Sequence, residues 1–339
     1  MIGIQGYGVY IPRQRIKLGE INGAWGRSGG RGELAVATRD EDVVTLGLKS
    51  AQQALAAANI PADKLGAVYV ASVSSGYMES TVAGQIGYAL GVAGDVSIAD
   101  FGLSTRGVTS ALRACADAIA CGRIEYGLVV GSDRLIARPG STYELSCAAG
   151  AAAILLGRES TGTLAELEES AAYSGSCLGR YRAEGQFRGT TDERFVMEHS
   201  YLDQLAGVVE QLSRRDEQTS WDHVVLHAPE LKWARRALKL LKLKPESLVS
   251  SLGQIGYAGC ASFLIDLALA LEQARPDEII LAISYGPGGS EAFTWQVKCA
   301  PGLERPASAQ SQLEPGENIS YPTYLRYNGL YAQQPGGQT

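Results

Sequence analysis

One strand–helix–strand unit occurs twice in this chain, and that repetition restricts the fold more than any other feature. Residues 67–72 (AVYVAS) read as an apolar strand, 107–121 as a helix entered through a turn, and 125–131 (EYGLVVG) as a closing strand. The later copy runs through 223–227 (HVVLH), a basic helix, a second helix over 259–274 and a closing strand at 278–284 (EIILAIS). The closing strands start at Glu125 and Glu278, 153 residues apart, which sets Ser104 over Tyr257, each at the turn before a long apolar helix. His227 ends the first strand of the later copy, where the earlier copy ends in small residues. Both turns and His227 are therefore expected to face one site between the halves.

The strands are short and apolar on both faces, the pattern of a sheet covered by helices on each side. The stretches 107–121 and 259–274 are rich in Ala, Cys and Leu with few charges, as a helix buried all round requires. Two such units stack as an α/β five-layer α-β-α-β-α sandwich with those two helices in the middle. The halves span 1–165 and 166–300, followed by a linker and Tyr-rich tail over 301–339. Residues 43–59 read as a helix stopped by Pro61, and the acids at 40–42 supply a cap and favourable charge at its start. The polar, glycine-containing stretch 174–192 is the expected insertion over a site mouth, and 197–214 reads as a helix. In the tail Tyr321, Tyr324, Tyr327 and Tyr331 recur at near-helical spacing, either to dock a neighbouring chain or to pack on their own. Residues 333–339 look disordered.

Composition narrows the function. A net charge of −6 argues against a nucleic-acid surface and offers nothing to an anionic membrane. No apolar run approaches the ~20 residues that span a bilayer. A strand follows Met1 directly, so no signal peptide is expected. The six cysteines make no CxxC pair and suit a reducing cytosol, and with only three histidines no metal site is expected.

Several segments in order carry a resemblance: 6–17 (GYGVYIPRQRIK), 40–46 (DEDVVTL), 131–157 (GSDRLIARPGSTYELSCAAGAAAILLG), 227–229, 284–293 (SYGPGGSEAF) and the tail from Ile319. Through them the chain resembles the thiolase superfamily and, within it, the hydroxymethylglutaryl-CoA synthase and 3-oxoacyl-ACP synthase III-like enzymes. The resemblance implies a cysteine nucleophile at the first elbow, a histidine and an asparagine from the second half, and a glutamate acid near the end of the first strand. Here those positions fall on Ser104, His227, Tyr257 and Val73; Gln254 is the amide if the local alignment slips. Only the histidine is kept. The resemblance also implies a dimer and a coenzyme A thioester as candidate substrate, with no covalently bound cofactor.

The replacements change what chemistry is available. A cysteine at a helix N-terminus ionises near neutral pH, whereas a serine there needs a neutral histidine as base and a third group to orient it. Val73 exchanges no proton. Ser104 also reads as a plain N-cap, and Tyr257 as a bulky filler of the acyl space. Lys232, Trp233 and Arg236 on the basic helix are candidates for a coenzyme A rim, cations for phosphates and the indole for adenine, against a plain solvated face. Gly288, in the GPGG turn, is a candidate for bringing backbone N–H groups near an acyl oxygen. Three functions follow. The favoured one is a non-catalytic, synthase-like subunit of a cytoplasmic multicomponent acyltransferase whose partners are a thiolase-like chain and a small zinc-ribbon/OB-fold protein. The second is an acyltransferase using Ser104 and His227, and the third an ordinary hydroxymethylglutaryl-CoA synthase.

Overall fold

The computed structural model describes residues 1–77, 79–159, 162–176, 179–183, 186–187, 192–215, 220–300 and 308–331. The first half comprises β1 (Ile2–Tyr10), α1 (Val43–Ala58), β2 (Leu65–Ala71), α2 (Val82–Ala89), β3 (Ser97–Asp100), α3 (Gly107–Ala120), β4 (Tyr126–Arg134) and β5 (Ala149–Arg158). The second repeats it with β6 (Ala165–Ser174), α4 (Leu202–Ser213), β7 (His223–Leu226), α5 (Leu231–Leu240), β8 (Leu248–Val249), α6 (Cys260–Gln273), β9 (Ile279–Gly286) and β10 (Gly289–Val297). The strand order is β3-β2-β4-β5-β1 in one half and β8-β7-β9-β10-β6 in the other, the same path taken twice. The halves join where β1 meets β6, Gly3 opposite Glu166 and Ile4 opposite Ala165. The duplication read from the closing strands holds in space: α3 and α6 begin 153 residues apart, as do β4 and β9.

The two apolar helices form the middle layer. α6 packs on β4 and β5 of the first half and on β7, β8 and β9 of the second, and α3 lies on β2, β4 and β5. From α3, Arg113 also reaches Glu291 of β10 at 3.0 Å. On the outside, α1 covers β1, β4 and β5, and α4 covers β6, β9 and β10. These contacts make the thiolase-like sandwich. Every residue of α6 from Cys260 to Leu271 is buried, and each fully buried Leu, Ile or Phe there contributes about 2 kcal/mol. Its first turn can sit on β4 because residue 131 is glycine: a Cβ there would lie 2.9 Å from the Cys260 carbonyl. α1 starts where the acids place it, with the Asp42 side chain accepting from Thr45 N at 2.8 Å in a capping box.

Two expectations change. The helix read over 197–214 is preceded by a short α-helical turn at Glu193–Val196 and enters α4 through a π-helical turn at Met197–Tyr201. Of the two readings of the tail tyrosines, docking and self-packing, Tyr321 and Tyr324 take the second. Both are buried in the helix Tyr321–Tyr327, and the Tyr321 hydroxyl donates to Glu144 at 2.9 Å. The linker's start at 301–307 and the end at 332–339 lie outside the described residues.

Asp266 is the buried charge of α6. Its carboxylate accepts from Ser251 N at 2.7 Å, and burial pushes its pKa up to about 7. The folded state thus holds a proton that the unfolded state releases near 4, so stability falls as pH rises between these values and levels off above. Asp266→Asn keeps the acceptor and removes the ionisation. It is expected to raise the melting temperature by a few degrees at about pH 8 and to change it little at about pH 4; thermal unfolding at the two pH values measures this.

Candidate functional site

The two elbows and the end of β7 meet as the repeat demands, and they wall a cavity of about 640 Å³. Ser104 and Thr105 come from the elbow before α3, Val73 and Ser75 from the turn after β2, His227 from the end of β7, and Tyr257 from the elbow before α6. The segment 179–183 and the turn at Glu193–Met197 close the far wall, which is where the insertion over 174–192 was expected.

A single carboxylate holds this geometry. Asp133, at the end of β4 and fully buried, accepts from Ser72 Oγ (2.9 Å), Val73 N (2.8 Å), Ser74 Oγ (2.6 Å) and Cys260 N (2.7 Å). It therefore ties the end of β2 to the first residue of α6. The contact needs glycine at 259, which has φ of 57° and whose Cβ would stand 2.2 Å from the carboxylate.

Ser104 and His227 share the cavity but are not bonded to each other. The Ser104 hydroxyl faces the Pro287 carbonyl at 3.4 Å, and Thr105 Oγ1 donates to the Tyr285 carbonyl at 3.0 Å. Ser104 is also not the N-cap of α3; Arg106 is, and no side chain caps it. His227 Nε2 lies 2.9 Å from the Gly259 carbonyl and 3.2 Å from the Tyr257 hydroxyl. A carbonyl only accepts, so the proton is assigned to Nε2 and the lone pair to Nδ1. Nδ1 is buried with no hydrogen-bond partner among the described residues. Burial of the ring pushes its pKa down to about 4, against the opposing pull of the Gly259 carbonyl, so the imidazole is neutral at physiological pH.

Tyr257 is buried beside Leu135, Ala137 and Cys147, with its ring tilted against His227 at 5.6 Å between centroids. Arg180 lies over Tyr143 and Tyr257, 4.6 and 5.9 Å from the ring centres, and pairs with Glu193 at 2.7 Å. Arg180, Arg182, Glu193, Thr105 and Asp133 are site residues that the residue pattern did not single out. The arginines stand inside the stretch recognised as a cover, but nothing in their spacing marked them.

The rim residues sit elsewhere. Trp233 is 6% exposed in the core under α5, with Lys232 and Arg236 over its ring, so it has no face for an adenine. Lys232 pairs with Glu230 at 2.8 Å and lines an adjoining cavity of about 340 Å³ that shares Pro229 and Tyr257 with the elbow cavity; Arg236 pairs with Glu198 at 2.9 Å. The Gly288 N–H donates to the Ser176 carbonyl at 3.2 Å, which occupies it. Among the described residues no three His, Cys, Asp or Glu side chains cluster as metal ligands, and no helix is long and apolar enough to cross a membrane.

With two repeated halves and paired elbows before buried helices, this is a thiolase-like protein, and residues 29–161 match the family described as Thiolase, N-terminal domain. It is 32% identical over 341 residues to the hydroxymethylglutaryl-CoA synthase of Methanopyrus kandleri, covering 96% of each chain. The chain belongs to the hydroxymethylglutaryl-CoA synthase family. Two solved structures share the fold. One is HMG-CoA synthase complexed with CoA, with TM-score 0.86, 20% identity and coverage of 98% of this chain and 91% of the other. The second is MvaS in complex with 3-hydroxy-3-methylglutaryl coenzyme A, with TM-score 0.83, 22% identity and coverage of 99% and 94%.

Asp133→Ala would strand four donors, two of them buried, and it is expected to cost at least about 3 kcal/mol by chemical denaturation. Asp133→Asn, which keeps one acceptor oxygen, should fall between. For His227, NMR titration of its ring protons should show the neutral form persisting down to about pH 5, while an exposed histidine changes near 6.5.

Proposed function

We propose that this chain is a hydroxymethylglutaryl-CoA synthase-like subunit of a multicomponent acyltransferase, one that holds a coenzyme A thioester without forming an acyl-enzyme of its own. Its proposed partners are a thiolase-like chain carrying the reactive cysteine and a small zinc-ribbon/OB-fold protein. The observation that carries the reading is the divergence of Ser104 and His227 onto different carbonyls, Pro287 and Gly259. A serine hydroxyl has no thiolate-like form near neutral pH, so it needs a base within hydrogen-bonding reach. The proton on Nε2 also blocks that nitrogen as the base. At position 73 an aliphatic side chain leaves a condensation without its acid.

The coenzyme A part rests on other support. A cavity of about 640 Å³ lies in the usual range for small-molecule sites, and relatives of this fold have been solved with CoA and with 3-hydroxy-3-methylglutaryl coenzyme A. A serine acyltransferase is the competing reading, favoured by the placement of Ser104 and His227 in one cavity.

Intact-mass spectrometry of the isolated chain after incubation with acetyl-CoA or acetoacetyl-CoA separates the two. The expected result is unmodified protein and no condensation product. An adduct that disappears in Ser104→Ala would establish the serine enzyme instead. Size-exclusion of the chain with the products of its neighbouring genes should give a stable heteromer, and separate elution would count against the partners.

A further inference from the structure

Helix α5 carries two rows of cations, and only one of them is balanced. Lys232 and Arg236 stand one turn apart and pair with Glu230 at 2.8 Å and Glu198 at 2.9 Å. Arg235, Lys239 and Lys242 follow one another at helical spacing along a second row. All three are exposed, and none makes an ion pair or a side-chain hydrogen bond among the described residues. They wall a cavity of about 740 Å³ between α5, the turn that follows it and the edge strand β8, and no carboxylate lines it. Its apolar surface comes from Leu231 and Leu238 on the helix and from Leu243 and Leu248 beyond it. It shares no lining residue with the elbow cavity.

The third cation stands where a lysine is unusual. Helix α5 closes with Lys242 N donating to the Lys239 carbonyl at 3.3 Å and Leu243 N to the Leu238 carbonyl at 2.9 Å. That is a Schellman turn, whose left-handed residue is ordinarily glycine. Here it is Lys242, with φ of 56°. A side chain strains the backbone there, and like charges along one helix row repel. What the lysine adds is a third ammonium at the cavity rim. The chain as a whole has a net charge of −6, so this concentration does not follow from a general excess of cations.

We propose that this cavity binds an amphiphilic anion, a phosphate headgroup held by Arg235, Lys239 and Lys242 on a hydrocarbon body laid against the leucines. The site is separate from the elbow cavity and does not depend on the coenzyme A reading. Its volume suits a small molecule. Guanidinium and ammonium groups both bind phosphate, while the leucines leave no polar partner for the rest of the ligand.

Calorimetric titration with octyl phosphate below its micelle concentration, with octanol and with inorganic phosphate tests it. Octyl phosphate is expected to bind at least about tenfold more tightly than either of the others, which carry only half of the recognition each. Replacing the unbalanced row, Arg235→Gln with Lys239→Gln, should weaken octyl phosphate about tenfold. Replacing the balanced row, Lys232→Gln with Arg236→Gln, removes the same charge from the same helix and should leave that affinity within about twofold. Leu243→Asn should weaken octyl phosphate about threefold and leave inorganic phosphate unchanged. All four cations are exposed, so both double variants should fold. Equal affinity for octyl phosphate and octanol, equal affinity for octyl phosphate and inorganic phosphate, or equal losses in the two double variants would overturn the inference. No sedimentation with phosphatidylglycerol vesicles is expected; sedimentation abolished by the Arg235→Gln, Lys239→Gln pair would assign the row to a membrane surface and overturn it as well.

Discussion

Four donors from two separated segments converge on the Asp133 carboxylate, and the shape of the site follows from that convergence. Burying a carboxylate is costly unless its oxygens are satisfied, so this carboxylate stays in place only if β2 and β4 end, and α6 begins, where they do. Its partners include the backbone of Val73 and of Cys260, which sets one wall of the cavity and the start of the middle helix together. Glycine at 259 is the steric counterpart, since any side chain would collide with the same oxygen. The elbow geometry is thus held independently of whether a thiol, a hydroxyl or an aliphatic group occupies the reactive positions.

That independence separates what holds the fold from what stands in the site. The helices of the middle layer are secured by apolar burial against both half-sheets, which asks only for volume and low polarity at each position. The hydroxyl at the first elbow and the phenol at the second set the proton chemistry available in the cavity. His227 is a neutral ring bonded to a backbone carbonyl, a state that burial favours over a charged base. The Arg180–Glu193 pair and the tyrosines it covers then close the space above it.

Much of the architecture was readable because it rests on periodicity. The matched spacing of the closing strands, the uncharged faces of 107–121 and 259–274, and the acids before the first helix each translate a simple physical demand into residue type. Other features were not readable. Trp233 and its flanking cations look like a nucleotide platform on a basic helix, but an amphipathic helix turns one face inward, and the indole is on that face. Gly288 sits in a turn that suggests free N–H groups, yet Ser176 from a distant segment takes the donor. Arg180 and Arg182 stand in an irregular stretch with no period to mark direction.

The chain by itself determined the duplication, the all-round burial of α6 and the identity of the groups at both elbows, because these depend on composition and spacing along one strand or helix; α3, read the same way, leaves Asp117 and Ala120 exposed. Which of those groups touch was decided only in three dimensions. The bond from Ser104 went to Pro287 and that from His227 to Gly259. Such pairings join residues up to 183 positions apart, where no local pattern can record which carbonyl a hydroxyl or an imidazole will find.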